Sequence, residues 1–183
     1  MMGQDSEPVV LRRDVTAVVI PAGYEIELNK NNLVYVTQAM GGSFTIYFEG
    51  NLFRIGGRDA DALGKEPLAA PELPEDVTDE SFEEIIWRQI STCYDPEIPI
   101  NIVDLGLIYG IQVDKSEAGE REVVVNMTLT APGCGMGEVL VEDVKDKVEI
   151  IPTVGKVEVD LVFDPPWSQD MMTEAAKLEA GLL

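Results

Sequence analysis

The residues best suited to chemistry lie in a glycine-rich segment, 128–137, which reads Thr-Leu-Thr-Ala-Pro-Gly-Cys-Gly-Met-Gly. An alternating strand pattern precedes it and a helical pattern follows, so Cys134 is expected in a loop at a helix entrance. Backbone N–H groups and the helix dipole stabilise a thiolate there, and a thiolate binds iron or zinc. We therefore expect Cys134 to be more acidic and more nucleophilic than an ordinary thiol. The alternative is a small buried residue in a turn.

An earlier segment, 94–107, connects a predicted helix to a predicted strand. It contains three carboxylates in a stretch of ten residues. They are Asp95, Glu97 and Asp104. Carboxylates in such a group can assist a metal ion or accept a proton. The structural alternative is favoured for each acid taken singly: Asp95 precedes a proline and suits a turn, and Asp104 can hydrogen-bond its own loop.

A third segment, Asp-Pro-Pro-Trp-Ser at 164–168, leaves the last predicted strand. Its prolines restrict where Trp167 points, and we favour a core or interdomain anchor over a recognition surface. If the strands before Cys134 and before Trp167 are parallel, both loops leave the same edge of the sheet and flank one shallow site. Cys93 ends the apolar side of a predicted helix and is interpreted as a core residue.

Composition excludes several classes of function. Histidine is absent, which removes Ser-His-Asp and Cys-His catalytic groups and the usual histidine-containing zinc sites. The net charge of −21 makes nucleic acid and anionic membranes unfavourable partners. The three glycines at 133, 135 and 137 do not match a phosphate-binding loop, because the spacing differs, no lysine follows and Glu138 would repel a phosphate.

The location is expected to be cytoplasmic. No apolar run approaches the roughly 20 residues that cross a bilayer, and residues 1–8 contain neither a cationic leader nor an apolar signal core. Two cysteines are too few for a disulfide scaffold and are compatible with a reducing compartment.

The chain is predicted to divide into four segments: a flexible N-terminus over 1–14, a small β-rich domain over 15–64, a proline-rich linker over 65–77 and a second domain over 78–183. Turn residues separate five short strand patterns in the β-rich domain, which is typical of a small barrel or meander. Its last ten residues, 55–64, combine a glycine pair with Asp59 and Asp61. We interpret them as a closing turn, with a binding site as the alternative.

The second domain is predicted to have the order α-β-β-α-β-α. Its elements are a helix over about 79–92 capped by Thr78, a hairpin of strands over 107–113 and 123–129, a helix over 136–150, a strand over 157–163 and a helix from about Ser168. Each strand has one apolar face, so all helices should cover one side of the sheet. The fold class is therefore α+β, a two-layer sandwich preceded by the small β-rich domain.

Three ordered motifs carry a resemblance to a known family. They are Asp-Pro-Glu-Ile-Pro at 95–99 with Asn-Ile-Val-Asp-Leu-Gly-Leu-Ile-Tyr at 101–109, Thr-Leu-Thr-Ala-Pro-Gly-Cys at 128–134, and Asp-Pro-Pro-Trp at 164–167. Together they resemble the PaaD-like domain family, which includes iron-sulfur assembly factors. The resemblance covers about 78–183, and the additional β-rich region is similar to the SufT branch.

This resemblance implies an accessory factor, not an enzyme, that assists iron-sulfur cluster assembly or transfer to apoproteins. It implies that Cys134 contacts a transient cluster or iron, with Asp95, Glu97 and Asp104 as its neighbours. Many relatives carry proline after this cysteine, whereas this chain carries Gly135. The implied partners are assembly proteins and apoprotein clients, and a homo-oligomer is left open.

One thiol in a chain without histidine does not fill the four protein ligand positions typical of a cluster. A bound cluster would therefore be shared across subunits, completed by a small thiol or carboxylates, or held only in transit. Two alternatives stay open: an adaptor that binds no metal, and an accessory subunit for degradation of aromatic compounds.

Overall fold

A computed structural model describes residues 6–40, 42–95, 98, 100–131 and 137–182. The chain divides into two compact units, Met1–Ala69 and Ala70–Leu183. The boundary lies within the predicted proline-rich linker, and residues 66–77 form neither helix nor strand. The predicted bounds of the domains stay a prediction. The exception is the N-terminal segment, which is corrected below.

Unit 1, residues 1–69, is a six-stranded sheet in which every pairing is antiparallel. Its strands are β1 (Glu7–Val10), β2 (Val15–Ile20), β3 (Glu25–Leu28), β4 (Leu33–Met40), β5 (Ser43–Phe48) and β6 (Asn51–Ile55), arranged in the order β1-β4-β5-β6-β2-β3. A 3-10 helix, Gly57–Leu63, follows β6. Alternate residues such as Val34, Val36 and Ile46 are buried in one core, as the period of two predicts.

The flexible N-terminus expected over residues 1–14 is wrong for Glu7–Val10. These residues form β1, which pairs with β4 so that Val10 lies opposite Leu33. Leu11, directly after the strand, is fully buried. Pro8 is compatible with this strand because β1 lies at an end of the strand order, and proline is tolerated on edge strands.

Unit 2, residues 70–183, contains a three-stranded sheet and three α-helices. The elements are α1 (Asp79–Ile90), β7 (Ile108–Lys115), β8 (Arg121–Met127), α2 (Gly137–Glu149), β9 (Val154–Leu161) and α3 (Glu174–Glu179). β7 and β8 are antiparallel, whereas β8 and β9 are parallel. The predicted order α-β-β-α-β-α and the α+β class are confirmed.

The local sequence explains where these elements begin and what they bury. Thr78 accepts from the Ser81 backbone N–H, and Ser81 completes a capping box at the start of α1. Phe82 and Ile86, four residues apart on one face of α1, are fully buried with the alternate residues of β8. Cys93 is 0% exposed in the same core, which confirms its predicted role.

The last helix begins later than the sequence predicts. A short 3-10 helix, Gln169–Met171, follows Ser168, and the backbone of Met172 is extended. Thr173 then caps α3 by accepting from the Ala176 backbone N–H. The delay has a packing reason: Met172 is buried, and an extended backbone brings its side chain into the core.

Within the residues described above, no helix combines the length and the apolar character needed to span a membrane.

Candidate functional site

The three motif segments meet at one edge of the sheet in unit 2. β8 and β9 run parallel, so both end at this edge, and antiparallel β7 begins there. The backbone N–H of Thr128 donates to the carbonyl of Leu107 at 2.8 Å, and that of Val162 donates to Met127 at 2.8 Å. The parallel pairing on which the predicted shared site depends is therefore present.

The residues on either side of the segment that contains Cys134 lie close together. Cys134 itself belongs to residues 132–136, which lie outside the described residues. Leu129 is buried, and a Cβ added to Gly137 would approach its Cδ1 atom to 2.6 Å. A larger residue at 137 would require the Leu129 side chain to shift. Gly137 thus has a packing role, and the role of Cys134 stays a prediction.

Thr128 holds a buried hydroxyl at the end of β8, directly before this loop. Thr128 is fully buried, and its Oγ1 atom has no hydrogen-bond partner among the residues that the structure describes. Leaving such a group unpaired costs about 1–3 kcal/mol. Unpaired buried polar atoms are uncommon and call for an explanation, such as a partner that arrives with a ligand. Sequence reasoning missed this feature because a threonine in a strand is ordinary.

Asp95 shapes the loop that follows α1. The residue is 7% exposed, and Oδ1 accepts from the backbone N–H of Ile98 at 3.0 Å. Its own N–H donates to the carbonyl of Ile100 at 3.3 Å. This is the turn role that the sequence favoured. Glu97 lies outside the described residues.

Asp104 holds a second turn in the same connection. Nδ2 of Asn101 donates to Oδ2 of Asp104 at 2.7 Å, and the N–H of Asp104 donates to Oδ1 of Asn101 at 2.9 Å. Its carbonyl accepts from the N–H of Thr173 at 2.9 Å, which ties α3 to this loop. The contacts match the loop-structuring alternative, and a role toward a ligand stays a prediction.

Trp167 links the motif at 164–167 to the motif at 101–109. Nε1 donates to the carbonyl of Leu105 at 2.7 Å, and the partly buried ring packs against the core of unit 2. Tyr109 donates its hydroxyl to the carbonyl of Pro165 at 2.7 Å. The predicted role as a core anchor is confirmed.

Gly106 allows a close backbone approach between the connection that contains it and the segment that follows Trp167. It has a positive φ of 77°, and a Cβ at this position would overlap the carbonyl of Met171. Only glycine satisfies both conditions without strain. The Asp-Leu-Gly sequence at 104–106 is therefore the surface against which the chain segment 165–173 packs.

An apolar surface remains open at this edge. β9 alternates as predicted, and Val157 is buried under the helices. Farther along the same face, however, Leu161 is 39% exposed, and Phe163, just beyond the strand, is 44% exposed. The apolar pattern of this strand is thus only partly covered by the core.

The aspartates at the end of unit 1 are bound internally. Arg13 donates to both carboxylate oxygens of Asp61 at 2.7 Å and to Asp59 at 2.8 Å. These hydrogen bonds raise the pKa of Arg13 and lower the pKa of Asp61. The closing-turn interpretation agrees with these contacts. The sequence offered no signal for the partner, which is 46 residues away from Asp59.

The described part of the chain contains no preformed metal site. In residues 6–40, 42–95, 98, 100–131 and 137–182, no group of three or more Cys, Asp or Glu residues is arranged to hold an ion. Cys134 and Glu97 are outside these ranges.

Unit 2 therefore defines a class: a small α+β domain with two tightly docked connections at the sheet edge where the cysteine-containing segment 128–136 begins. A family model described as "Iron-sulfur cluster assembly protein" matches residues 83–160, within this unit. The chain is 50% identical over 101 residues to the Fe-S protein maturation auxiliary factor of Porphyromonas gingivalis, covering 55% of this chain and 92% of that relative. The chain belongs to the iron-sulfur cluster assembly protein family.

Two further similarities are of the same kind. The chain is 43% identical over 88 residues to the Fe-S protein maturation auxiliary factor SufT of Staphylococcus aureus, covering 48% of this chain and 96% of that relative. A solved structure of a domain of unknown function from Bacillus anthracis is 36% identical and covers 57% of this chain and 95% of that chain, with a TM-score of 0.49.

These relatives confirm the resemblance to SufT-type assembly proteins and the expected role of an accessory factor in iron-sulfur cluster assembly. Their names describe auxiliary factors in maturation. Whether the chain binds a cluster, and through which residues, stays a prediction.

Proposed function

We propose that this chain is an accessory factor that carries iron-sulfur clusters, or assists their transfer, to apoproteins, with Cys134 as the thiol that contacts the cargo. The observation that supports this most directly is the meeting of three motif segments at one edge of the sheet, through the bonds from Thr128 to Leu107 and from Thr173 to Asp104. Cys134 is six residues beyond Thr128 in the sequence, so its loop begins at that edge.

The donor set favours a transient cargo over a permanent cofactor. A cluster typically takes four protein ligands, and each copy of this chain offers Cys134 and, at most, nearby carboxylates. Asp95 and Asp104 already accept hydrogen bonds from their own loops, which makes them weaker ligands. A cluster held by few ligands exchanges readily, because thiolates of an acceptor replace those ligands and take over the cluster without any change in oxidation state.

Thr128 is the second residue proposed to serve the cargo. Its hydroxyl, which has no partner in the described part of the chain, lies just before the segment that contains Cys134 and could donate to a sulfur or carboxylate brought in with the cluster. This contact would offset the free-energy cost of leaving the hydroxyl unpaired in the empty protein.

Anaerobic reconstitution with iron and sulfide tests the proposal. The wild type and Cys93→Ala should both develop visible absorption and pass iron to an apoprotein acceptor, because Cys93 is sealed in the core. Cys134→Ala should do neither. Equal absorption and transfer by Cys134→Ala would remove this thiol from the proposed role.

A second candidate function is an adaptor that recognises assembly proteins or clients without binding metal. The exposed Leu161 and Phe163 at the motif edge favour it, because exposed apolar residues beside a docked loop suit a protein interface. Under this function, Cys134→Ala supports client maturation in cells at the wild-type level, whereas Phe163→Ser reduces it.

A further inference from the structure

Unit 1 contains a cavity whose charge is opposite to that of the chain as a whole. The cavity has a volume of about 600 Å³ and is lined by three cationic residues, Arg12, Lys30 and Lys65, and by one acid, Glu7. The whole chain has 34 acidic and 13 basic residues. An excess of cations around one cavity is therefore a local feature that composition does not explain.

Two neighbouring arginines differ in their partners. Arg13 is neutralised by Asp59 and Asp61 through three hydrogen bonds of 2.7–2.8 Å. Among the residues that the structure describes, the guanidinium of Arg12 has neither a hydrogen bond nor an ion pair. In so acidic a chain, a cavity-lining arginine without a carboxylate partner is a ready donor for an anion.

Gly64 determines where the Arg12 guanidinium lies. A Cβ added to Gly64 would be 2.6 Å from Nη2 and 2.7 Å from Cζ and Nε, so the guanidinium lies directly over this glycine. Gly64 has a φ of 69° and ends the 3-10 helix by donating to the carbonyls of Ala60 and Asp61. The segment 55–64 thus neutralises Arg13 through its aspartates and positions Arg12 at the cavity through Gly64.

The two lysines add charge at the same cavity. The backbone N–H of Lys30 donates to Oδ1 of Asp14 at 2.7 Å, and its ammonium has no partner among the described residues. Lys65 forms an ion pair with Glu7 at 2.9 Å. Glu7 is more than half exposed and can move away when another anion pairs with Lys65.

We propose that this cavity binds a small molecule through an oxyanion, either a carboxylate or a phosphate. Its volume is in the range of small-molecule sites, and the planar fork of Arg12 matches two oxygens of such a group. Lys30 and Lys65 supply the remaining charge. Unit 1 carries nine acidic and six basic residues, so most of the negative charge that would repel an anion belongs to unit 2. This site is separate from the proposed cluster function.

Titration calorimetry of the full chain at low ionic strength tests the site, with citrate and inorganic pyrophosphate as probes and glycerol as the neutral control. The wild type should bind one of the anions saturably at a ratio of one to one. The probe that binds more tightly identifies the carboxylate or the phosphate. Arg12→Gln should weaken binding by about ten- to a hundredfold, because it loses a charge-assisted pair of hydrogen bonds.

Two further variants make the result specific. Arg58→Gln removes the same charge from unit 1 at a residue that is not among those lining the cavity, and it should keep wild-type affinity. Arg12→Lys keeps the charge and loses the fork, so its affinity should fall between those of the wild type and Arg12→Gln. No saturable binding of either anion by the wild type, or equal affinity in Arg12→Gln, would overturn the proposal. Binding of a glutamate-rich peptide in place of both small anions would overturn it in favour of a protein ligand.

Discussion

The two units of this chain differ in how they join their strands and where they keep their charge. Unit 1 connects six antiparallel strands by short turns, several of them at residues with positive φ such as Asn31 and Gly50. The described part of unit 2 has three strands, and the connections at one edge of its sheet, 91–107, 128–136 and 162–173, are each nine or more residues long. It also carries 25 acidic and seven basic residues, against nine and six in unit 1.

This difference indicates which connections between strands can carry the side chains of a binding site. Short turns are largely determined by backbone geometry and leave few side chains over for binding. Long connections need contacts of their own, and those of unit 2 obtain them from Asp104, Trp167 and Tyr109. The family match falls on the unit with the long, docked connections. In unit 1, by contrast, the candidate anion site is formed mainly by residues near the start of the chain and at the end of the 3-10 helix.

The largest expected effects come from a matched pair of core truncations, Ile86→Ala in unit 2 and Ile46→Ala in unit 1. Both residues are fully buried, and they belong to different hydrophobic cores. Each change should lower the free energy of unfolding of its own unit by about 2–5 kcal/mol. Trp87 and Trp167 both lie in unit 2, so tryptophan fluorescence in a urea titration follows that unit, and far-ultraviolet circular dichroism follows both.

Separate cores predict separate responses in this experiment. Ile46→Ala should leave the tryptophan transition where it is in the wild type. An equal shift of that transition by both variants would show that the units unfold as one and would remove the basis of the comparison.

A smaller effect is expected from Gly106→Ala, which tests the docked connection directly. The new Cβ would overlap the Met171 carbonyl, and alanine is strained at a φ of 77°. Together these should cost unit 2 on the order of 2–4 kcal/mol. Gly119→Ala is the control, because Gly119 has a similar φ of 82° with no atom within 4 Å and should cost only the backbone strain, about 1 kcal/mol. Equal losses in both variants would mean that the contact with Met171 contributes nothing.

The smallest effect, and one of opposite sign, is expected from Thr128→Val. Valine keeps the shape of the side chain and removes a buried hydroxyl for which the described residues provide no partner, so the free energy of unfolding should rise by about 1 kcal/mol. Thr92→Val should instead be destabilising by about 1–3 kcal/mol, because the Thr92 hydroxyl accepts from Lys147 at 2.8 Å and donates to Gln89 at 2.6 Å. Denaturant titration measures both. A loss of stability in Thr128→Val would show that its hydroxyl is already satisfied in solution.

Much of the fold could be predicted from local patterns. The period of two in β4 and β8, the apolar face of α1 and the cap at Thr78 depend on residues within a few positions of each other, so the sequence alone located these elements to within about three residues. The three motifs likewise identified the family, because residue types and their order along the chain can be recognised without any knowledge of contacts.

What the tertiary structure decided is which distant residues meet. The pairing of β1 with β4, the parallel alignment of β8 with β9, and the bonds from Arg13 to Asp59 and from Trp167 to Leu105 join segments that local periodicity does not relate. The same holds for the burial of the Thr128 hydroxyl away from any partner in the described ranges, and for the packing of the Arg12 guanidinium over Gly64. Chain propensity acts over one or two turns, whereas burial and hydrogen bonding are satisfied only when the whole domain has packed.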